Sequence, residues 1–336
     1  MSEDIEQGKV WLRFVGGEGA PQGTIGEMKL LPPRHANFNW WKQYDFNIEY
    51  PVHKGHVRCL KTHSSEAPLY SVVVPVSNLY GRVVRNCLKG LELQSFKSME
   101  VIVVDYGSTD ENHEKLLDTL EPFDCTVYFY PGPLQWSSTV SRNIGIRRAR
   151  GMFVGTLDAD CILEPGAAEQ VMDLFRERQD RMVVQSPCFL SEDISGDVEL
   201  PEAYPLIKIE KSNCMYYGQG IGAYVNAPRH WWHKVKGHDE RFVGWGPNDL
   251  NLWKRAGTDA LMERVKIVRK LPGKMDPGVL YHILNEDTVC YHQWHEGGRF
   301  RRLIGSKRFE KVKELNENIH KYATTLVRNN ESWGIP

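Results

Sequence analysis

Two carboxylates, one residue apart, close the stretch Gly151-Met-Phe-Val-Gly-Thr-Leu-Asp-Ala-Asp160. Asp158 and Asp160 follow a short apolar run bounded by glycine, which reads as a buried strand. Ligands of open α/β sheets gather at the carboxyl ends of strands, so a divalent cation and a phosphorylated ligand could meet here. On a strand, residues i and i+2 share a face, and the spacing lets both acids point one way. An Asp-rich turn without a ligand fits the same residues, because Asp favours turns. Further along, His292 and His295 stand three apart with Glu296 beside them. Imidazoles are common divalent-metal ligands, and such a pair can converge on an ion or simply decorate a surface.

Asp249 closes Gly244-Trp-Gly-Pro-Asn-Asp249. A carboxylate partly desolvated beside the Trp245 indole would gain the basicity that a general base needs. The same residue fits the N-cap of a helix through Leu252, Trp253 and Arg255. Arg142 could grip a diphosphate bidentately, or be one more solvated arginine beside Arg147, Arg148 and Arg150. Asp105 ends another strand, near Ser77-Asn78 if the sheet is parallel. It could accept a nucleobase N–H while a helix start faces phosphate, or belong to an ordinary strand-to-helix turn. Other chemistries drop out. Gly218-x-Gly-x-Gly222 is not placed between a strand and a helix, so it is no dinucleotide fingerprint. G-x-x-x-x-G-K-[ST] and G-x-S-x-G are both absent.

The elements that position these groups follow a regular grammar from Pro68 onward. Tyr70–Val76, Val101–Val104, Thr126–Tyr130, Phe153–Leu157 and Met182–Gln185 read as strands. Helices are expected over Leu79–Leu91, around Leu116–Leu120, from a Ser137 or Ser138 cap to Ala149, and over Pro165–Gln179. Such alternation predicts a mostly parallel sheet with helices on both faces. From about residue 187 the chain turns Gly-, Pro- and aromatic-rich, and its loops are expected to fold back over the sheet's carboxyl edge. An amphipathic helix over Ser306–Val327 ends the pattern. We therefore expect a 1–67 extension without assigned chemistry, a 68–186 nucleotide-binding α/β half, a 187–305 acceptor half, and a 306–336 helix and tail.

Composition bounds the partners. The 336 residues are 41% hydrophobic and 25% charged with a net charge of −1, as in an ordinary globular protein. That balance offers no general attraction for nucleic acid or an anionic membrane. No apolar run reaches membrane-spanning length, and the acidic Met-Ser-Glu-Asp-Ile-Glu start lacks signal-peptide character. The seven cysteines are scattered, with no C-x-x-C pair, which points to reduced thiols and a cytoplasmic setting.

Read together and in order, these segments resemble the family 2 glycosyltransferases of GT-A fold. The resemblance is carried by Ser71-Val-Val-Val-Pro-Val-Ser-Asn78, Val101-Ile-Val-Val-Asp-Tyr-Gly-Ser-Thr-Asp110, Ser141-Arg-Asn-Ile-Gly-Ile-Arg-Arg-Ala-Arg-Gly151 and Leu157-Asp-Ala-Asp-Cys161. Gly237-His-Asp-Glu-Arg-Phe-Val-Gly-Trp-Gly-Pro-Asn-Asp249 is similar to the G-x-D-E-x-F-x-G-W-G-x-E-D segment of galactosyl- and N-acetylgalactosaminyltransferases. The resemblance implies a UDP-sugar as donor and a sugar or glycan hydroxyl as acceptor. Asp105 would read the uracil, with Pro75, Ser77 and Asn78 beside it, and Arg142 would face the diphosphate. Asp158 and Asp160 would be a D-x-D pair contacting ribose and a Mn²⁺ or Mg²⁺ ion, with His292 or His295 completing the metal shell. Trp245 would line the sugar pocket, Asp249 would deprotonate the acceptor, and Arg299, in a basic loop over 297–307, would close on diphosphate. Tyr106, Asn248 and Leu250 depart from the pattern, touching base contacts and acceptor recognition. The implied reaction is an inverting displacement; the alternatives are a retaining transferase on the same fold and an inactive nucleotide-sugar or glycan-binding relative.

Overall fold

In a computed structural model the chain is described over residues 57–64, 67–131, 136–190, 215–216, 222–244, 246–268, 275–285, 287–294, 306–321 and 326–335. Contacts divide the chain into Met1–Glu49 and Tyr50–Pro336, and the first unit lies outside the described residues. The order begins with β1 (Arg58–Lys61), β2 (Tyr70–Val76), α1 (Arg82–Glu92), β3 (Met99–Tyr106), α2 (Asp110–Leu120) and β4 (Thr126–Tyr130). Next come α3 (Ser138–Arg148), β5 (Phe153–Leu157), β6 (Cys161–Leu163), α4 (Ala167–Glu177) and β7 (Arg181–Gln185). The remainder is β8 (Cys188–Phe189), β9 (Met215–Tyr216), β10 (Tyr224–Pro228), α5 (Arg229–Val235), α6 (Asn248–Ala256), β11 (Glu263–Val268), β12 (Val279–Ile283), β13 (Cys290–His292) and α7 (Ser306–Lys321).

The sequence forms β2 and β3 because both are runs of branched residues with nowhere polar to turn, as a strand buried on two faces requires. Side chains alternate between two cores. Val72, Val74 and Val76 join Leu88, Leu116 and Phe175 on one side of the sheet. Val73 joins Ile144, Trp232 and Leu252 on the other. Helix starts are capped locally, by Thr109 accepting from Asn112 N at 3.4 Å and Ser137 accepting from Val140 N at 3.4 Å. Helix α3 lies close on the strands because its Gly145 has no side chain; a Cβ there would stand 2.4 Å from Val73 Cγ1.

Among the described residues nine strands form one sheet in the order β1-β4-β3-β2-β5-β10-β7-β11-β12, and β6-β13-β8-β9 form a second. Pairing is parallel at β4–β3, β3–β2, β2–β5, β7–β11 and β11–β12. It is antiparallel at β1–β4, β5–β10 and β10–β7. The α/β architecture with helices on both faces is the expected one.

Two expectations change. The strand over 181–185 does not close the series, because β10 enters between β5 and β7 and then β11 and β12 extend the edge. The later part of the chain thus supplies three strands to the main sheet and is not only loops. Strand β10 escapes a sequence reading because Tyr-Val-Asn-Ala-Pro carries an amide and a proline; in the fold Asn226 accepts a hydrogen bond from Tyr70 and donates to Val183 O at 3.3 Å. At the other end, residues 58–61 of the extension, where several short strands or an extended wrap over the following domain are expected, form a strand that pairs with β4.

Candidate active site

The carboxyl ends of β2, β3 and β5 stand side by side, as the register of Val76 with Asp105 and of Val73 with Thr156 requires. The strand-face expectation for Asp158 and Asp160 is not met. Strand β5 stops at Leu157, and a turn closed by Cys161 N donating to Asp158 O at 2.9 Å carries the two acids to different partners. Asp158 receives Arg142 Nη2 at 2.5 Å. Asp160 Oδ2 lies 3.4 Å from His292 Nε2.

Arg142 joins the early and late parts of the chain. Its Nη1 donates to Asp249 Oδ1 at 2.8 Å while Nη2 holds Asp158. The side chain is 3% exposed, against 35% for Asp158 and 22% for Asp249, so a buried fork holds two acids that reach solvent. Burial works against the guanidinium charge, but Asp249 and Asp158 outweigh it and raise the Arg142 pKa. Burial pushes Asp158 up to about 6, with Arg142 pulling it down and Asp160 and Asp249 pushing it up. The fork has been read above as facing a diphosphate; in this structure its two ends hold carboxylates.

Several contacts bring Asp249 here. Ser137, capping α3, donates to Phe242 O at 3.1 Å, and Gly244 N donates to Trp136 O at 2.9 Å. Asn316 of α7 brackets Val243, donating to its carbonyl at 2.7 Å. Pro247 is the cap of α6, so Asp249 lies in the first turn with its side chain turned to Arg142. Gly222 makes the space: a Cβ there would meet Asp249 Oδ2 at 2.0 Å.

The Asp160 side is fixed through β13. Antiparallel pairing sets His292 opposite Cys161, and Gln293 N donates to Asp160 O at 2.8 Å. Gln293, fully buried, also donates to Val83 O at 2.9 Å and accepts from Asn86 at 3.1 Å. Burial opposes a charged His292, yet the Asp160 and Asp158 carboxylates raise its pKa. Gln293 was not singled out from sequence, although it sits beside His292 between two candidate ligands.

Asp105 is 0% exposed, and its carboxylate accepts Ser108 Oγ at 2.5 Å and meets His113 Nδ1 at 2.6 Å. A base contact would have to open that cluster. His113, stacked on Phe129 at 3.9 Å, escaped the sequence reading because its partner lies across a strand-to-helix turn. Tyr106 packs with Tyr130 and Trp136. Pro75 is buried in β2 opposite Val104. Ser77 is half-buried. Asn78 takes the left-handed conformation, φ 51°, and accepts Thr109 N at 2.9 Å, organising the start of α2. Trp245, His295 and Arg299 lie outside the described residues.

The donors present among the described residues would hold a divalent cation together with oxygens of a bound ligand. Among the described residues no three His, Cys, Asp or Glu side chains are placed to hold a metal by themselves. Asp160 and His292 form a suitable oxygen–nitrogen pair, and ions such as Mg²⁺ commonly bind one or two protein donors plus substrate phosphates.

Residues 71–233 match the model of Glycosyl transferase family 2. An uncharacterized glycosyltransferase of Haemophilus influenzae is 27% identical over 130 residues, 39% of this chain and 50% of its own. Chondroitin synthase of Escherichia coli is 33% identical over 116 residues, 33% of this chain and 16% of its own. A GalNAc(5)-diNAcBac-PP-undecaprenol beta-1,3-glucosyltransferase of Campylobacter jejuni is 28% identical over 133 residues, 38% and 43% of the two chains. The match thus spans half or less of the length of these relatives. Among solved structures, Staphylococcus aureus TarS 1-349 in complex with UDP-GlcNAc aligns at 14% identity and TM-score 0.43, over 76% of this chain and 73% of that one. No helix among the described residues is long and apolar enough to cross a membrane.

Proposed function

We propose that this chain, which carries a glycosyl transferase family 2 domain at residues 71–233, is a glycosyltransferase moving a hexose from a UDP-sugar to a sugar or glycan hydroxyl. The sugar is of galactose or N-acetylhexosamine type, and the displacement inverts the anomeric centre. One observation carries the reading: a single buried guanidinium, Arg142, holds the sheet-end acid Asp158 and the helix-start acid Asp249 at 2.5 and 2.8 Å. An acid that could take a proton is thereby tied to the sheet end where nucleotides gather.

In this reading Asp249 accepts the acceptor hydroxyl's proton, which makes the oxygen a better nucleophile as it approaches the anomeric carbon. Arg142 fixes the Asp249 carboxylate and ties it to Asp158, while Gly222 leaves the acid room. Asp160 and His292 would hold a Mn²⁺ or Mg²⁺ ion with the diphosphate, and such an ion supplies Lewis-acid stabilisation of charge on the leaving oxygens. Gln293 and β13 keep that pair in place. Uracil recognition rests on the Ser77–Asn78 and Asp105 segments, with Asp105 reached once its bonds to Ser108 and His113 rearrange.

A panel of UDP- and GDP-sugars, offered with carbohydrate acceptors with and without Mn²⁺, tests this. The expected result is Mn²⁺-supported transfer from a UDP-sugar, with inversion seen by NMR of the product. A strong preference for GDP-sugars would overturn the nucleotide, full activity in EDTA the metal, and a retained anomer the displacement.

A further inference from the structure

Behind the Arg142 fork lies a polar cluster that the mechanism above does not use. His238 is 0% exposed and neither ring nitrogen has a hydrogen-bond partner. Asn251 is equally buried, with neither amide atom partnered. Arg255 leaves Nη1 unpartnered, and Arg142 leaves Nε unpartnered. Polar atoms closed off without partners cost about 1–3 kcal/mol each, so four such residues in one region call for an explanation.

The backbone gathers them. Asn251 and Arg255 are one turn apart on α6, so their side chains share a face. Arg255 Nη2 donates to Val235 O at 3.0 Å and Gly237 O at 3.1 Å, which places its head beside His238. Asn143, the neighbour of Arg142 on α3, grips the His238 backbone, accepting from its N–H at 2.8 Å and donating to its carbonyl at 2.9 Å. The imidazole stacks on Trp232 at 5.3 Å. Burial, then the charges of Arg142 and Arg255, hold the His238 pKa well below its ordinary value, so the ring is neutral, with one donor and one acceptor. The Asn251 amide also offers both. That inventory matches internal water, which commonly serves about three such groups at once.

We propose that His238 and Asn251 are positioning residues for the transfer: through internal water they hold the Nε–H edge of Arg142, so that its other edge stays aimed at Asp158 and Asp249. Two anchored edges fix the guanidinium plane, where one edge alone leaves it free to tilt. This rests on the reading of Asp249 as the base, and the test separates the two.

His238→Phe keeps an aromatic ring on Trp232 and removes both nitrogens. We expect kcat to fall about tenfold while the KM for the sugar donor stays within about twofold, because orientation and not binding is lost. His238→Gln, which again offers a donor and an acceptor, should recover part of the rate. Independently of turnover, protein labelled with ¹⁵N at arginine Nε should show a slowly exchanging Arg142 Nε–H signal, assigned by its loss in Arg142→Lys. That signal should exchange faster in His238→Phe and slow again in His238→Gln. An unchanged Arg142 signal, or equal loss of rate and thermal stability in both variants, would overturn the proposal. If the unmodified protein transfers no sugar yet the signal responds as expected, the transferase reading falls and the positioning role stands.

Discussion

The two parts of the chain that meet at Arg142 are held together in different ways. The β2-to-β7 region is fixed by apolar burial: Val72, Val74, Leu88, Leu116 and Phe175 are among side chains with almost no exposure. The 237–256 segment, which delivers Asp249, buries Phe242, Leu252 and Ala256 and adds a dense set of polar contacts. Asn143 and Asn329 both donate to His238 O, and Arg241 and Arg328 both pair with the buried Asp239. Asn316 holds Val243, and Arg255 donates to three carbonyls contributed by residues 235, 237 and 326. An apolar core tolerates exchange of shape for shape, whereas a polar lock fails when one partner goes. In the proposed reading, the polar contacts of the second region align the acid that the core of the first supports.

The comparison can be broken first in the core. Leu116→Ala, on α2, should cost about 4 kcal/mol of unfolding free energy and leave kcat near normal wherever the protein stays folded. Chemical denaturation followed by initial rates checks both halves of that statement. Arg142→Met attacks the junction. It leaves Asp158 and Asp249 without their shared cation, and it should cost about 3 kcal/mol, the lower end for a broken buried pair because both acids reach solvent. Here, unlike the core variant, transfer should vanish at temperatures where circular dichroism still reports a folded chain.

The smallest expected effect depends on pH. His238 is held neutral in the fold, so its folded pKa lies below the unfolded value. The unfolded chain therefore binds the proton first, and the stability of the folded form falls as pH drops below about 6.5. Below that pH the loss from this one group can reach at most about 1.4 kcal/mol for each pH unit. His238→Phe should flatten the acid side of the stability curve by that amount. Parallel curves for the two proteins would mean that the ring is protonated in the fold, contrary to its surroundings.

The apolar region was legible because period and burial speak locally. Branched runs at 70–76 and 101–104 gave strands, and the Ser137-or-Ser138 pair gave a helix start whose cap in the fold is Ser137. Strand β10 was not legible, since Asn226 and Pro228 mimic a loop until Tyr70 is there to donate to the amide and Val183 to accept from it. The candidate site was legible as residue types, with Asp158, Asp160, Arg142, Asp249 and His292 all singled out. Their pairing was not. Arg142 and Asp249 are 107 positions apart, and only the folded sheet determines that the arginine fork closes on two acids. The strand's end at Leu157 was read correctly, but the D-x-D spacing suggested a shared face because nothing local announces the turn that Cys161 N closes on Asp158 O.

Proton removal by Asp249 is the claim on which the rest depends. Asp249→Asn keeps the shape and one acceptor oxygen for Arg142 but gives up the basic carboxylate. Side-by-side measurement of sugar transfer and UDP affinity should show transfer reduced about 10²–10⁴-fold with affinity unchanged. Transfer at the normal rate, or loss of UDP binding in its place, would contradict the account.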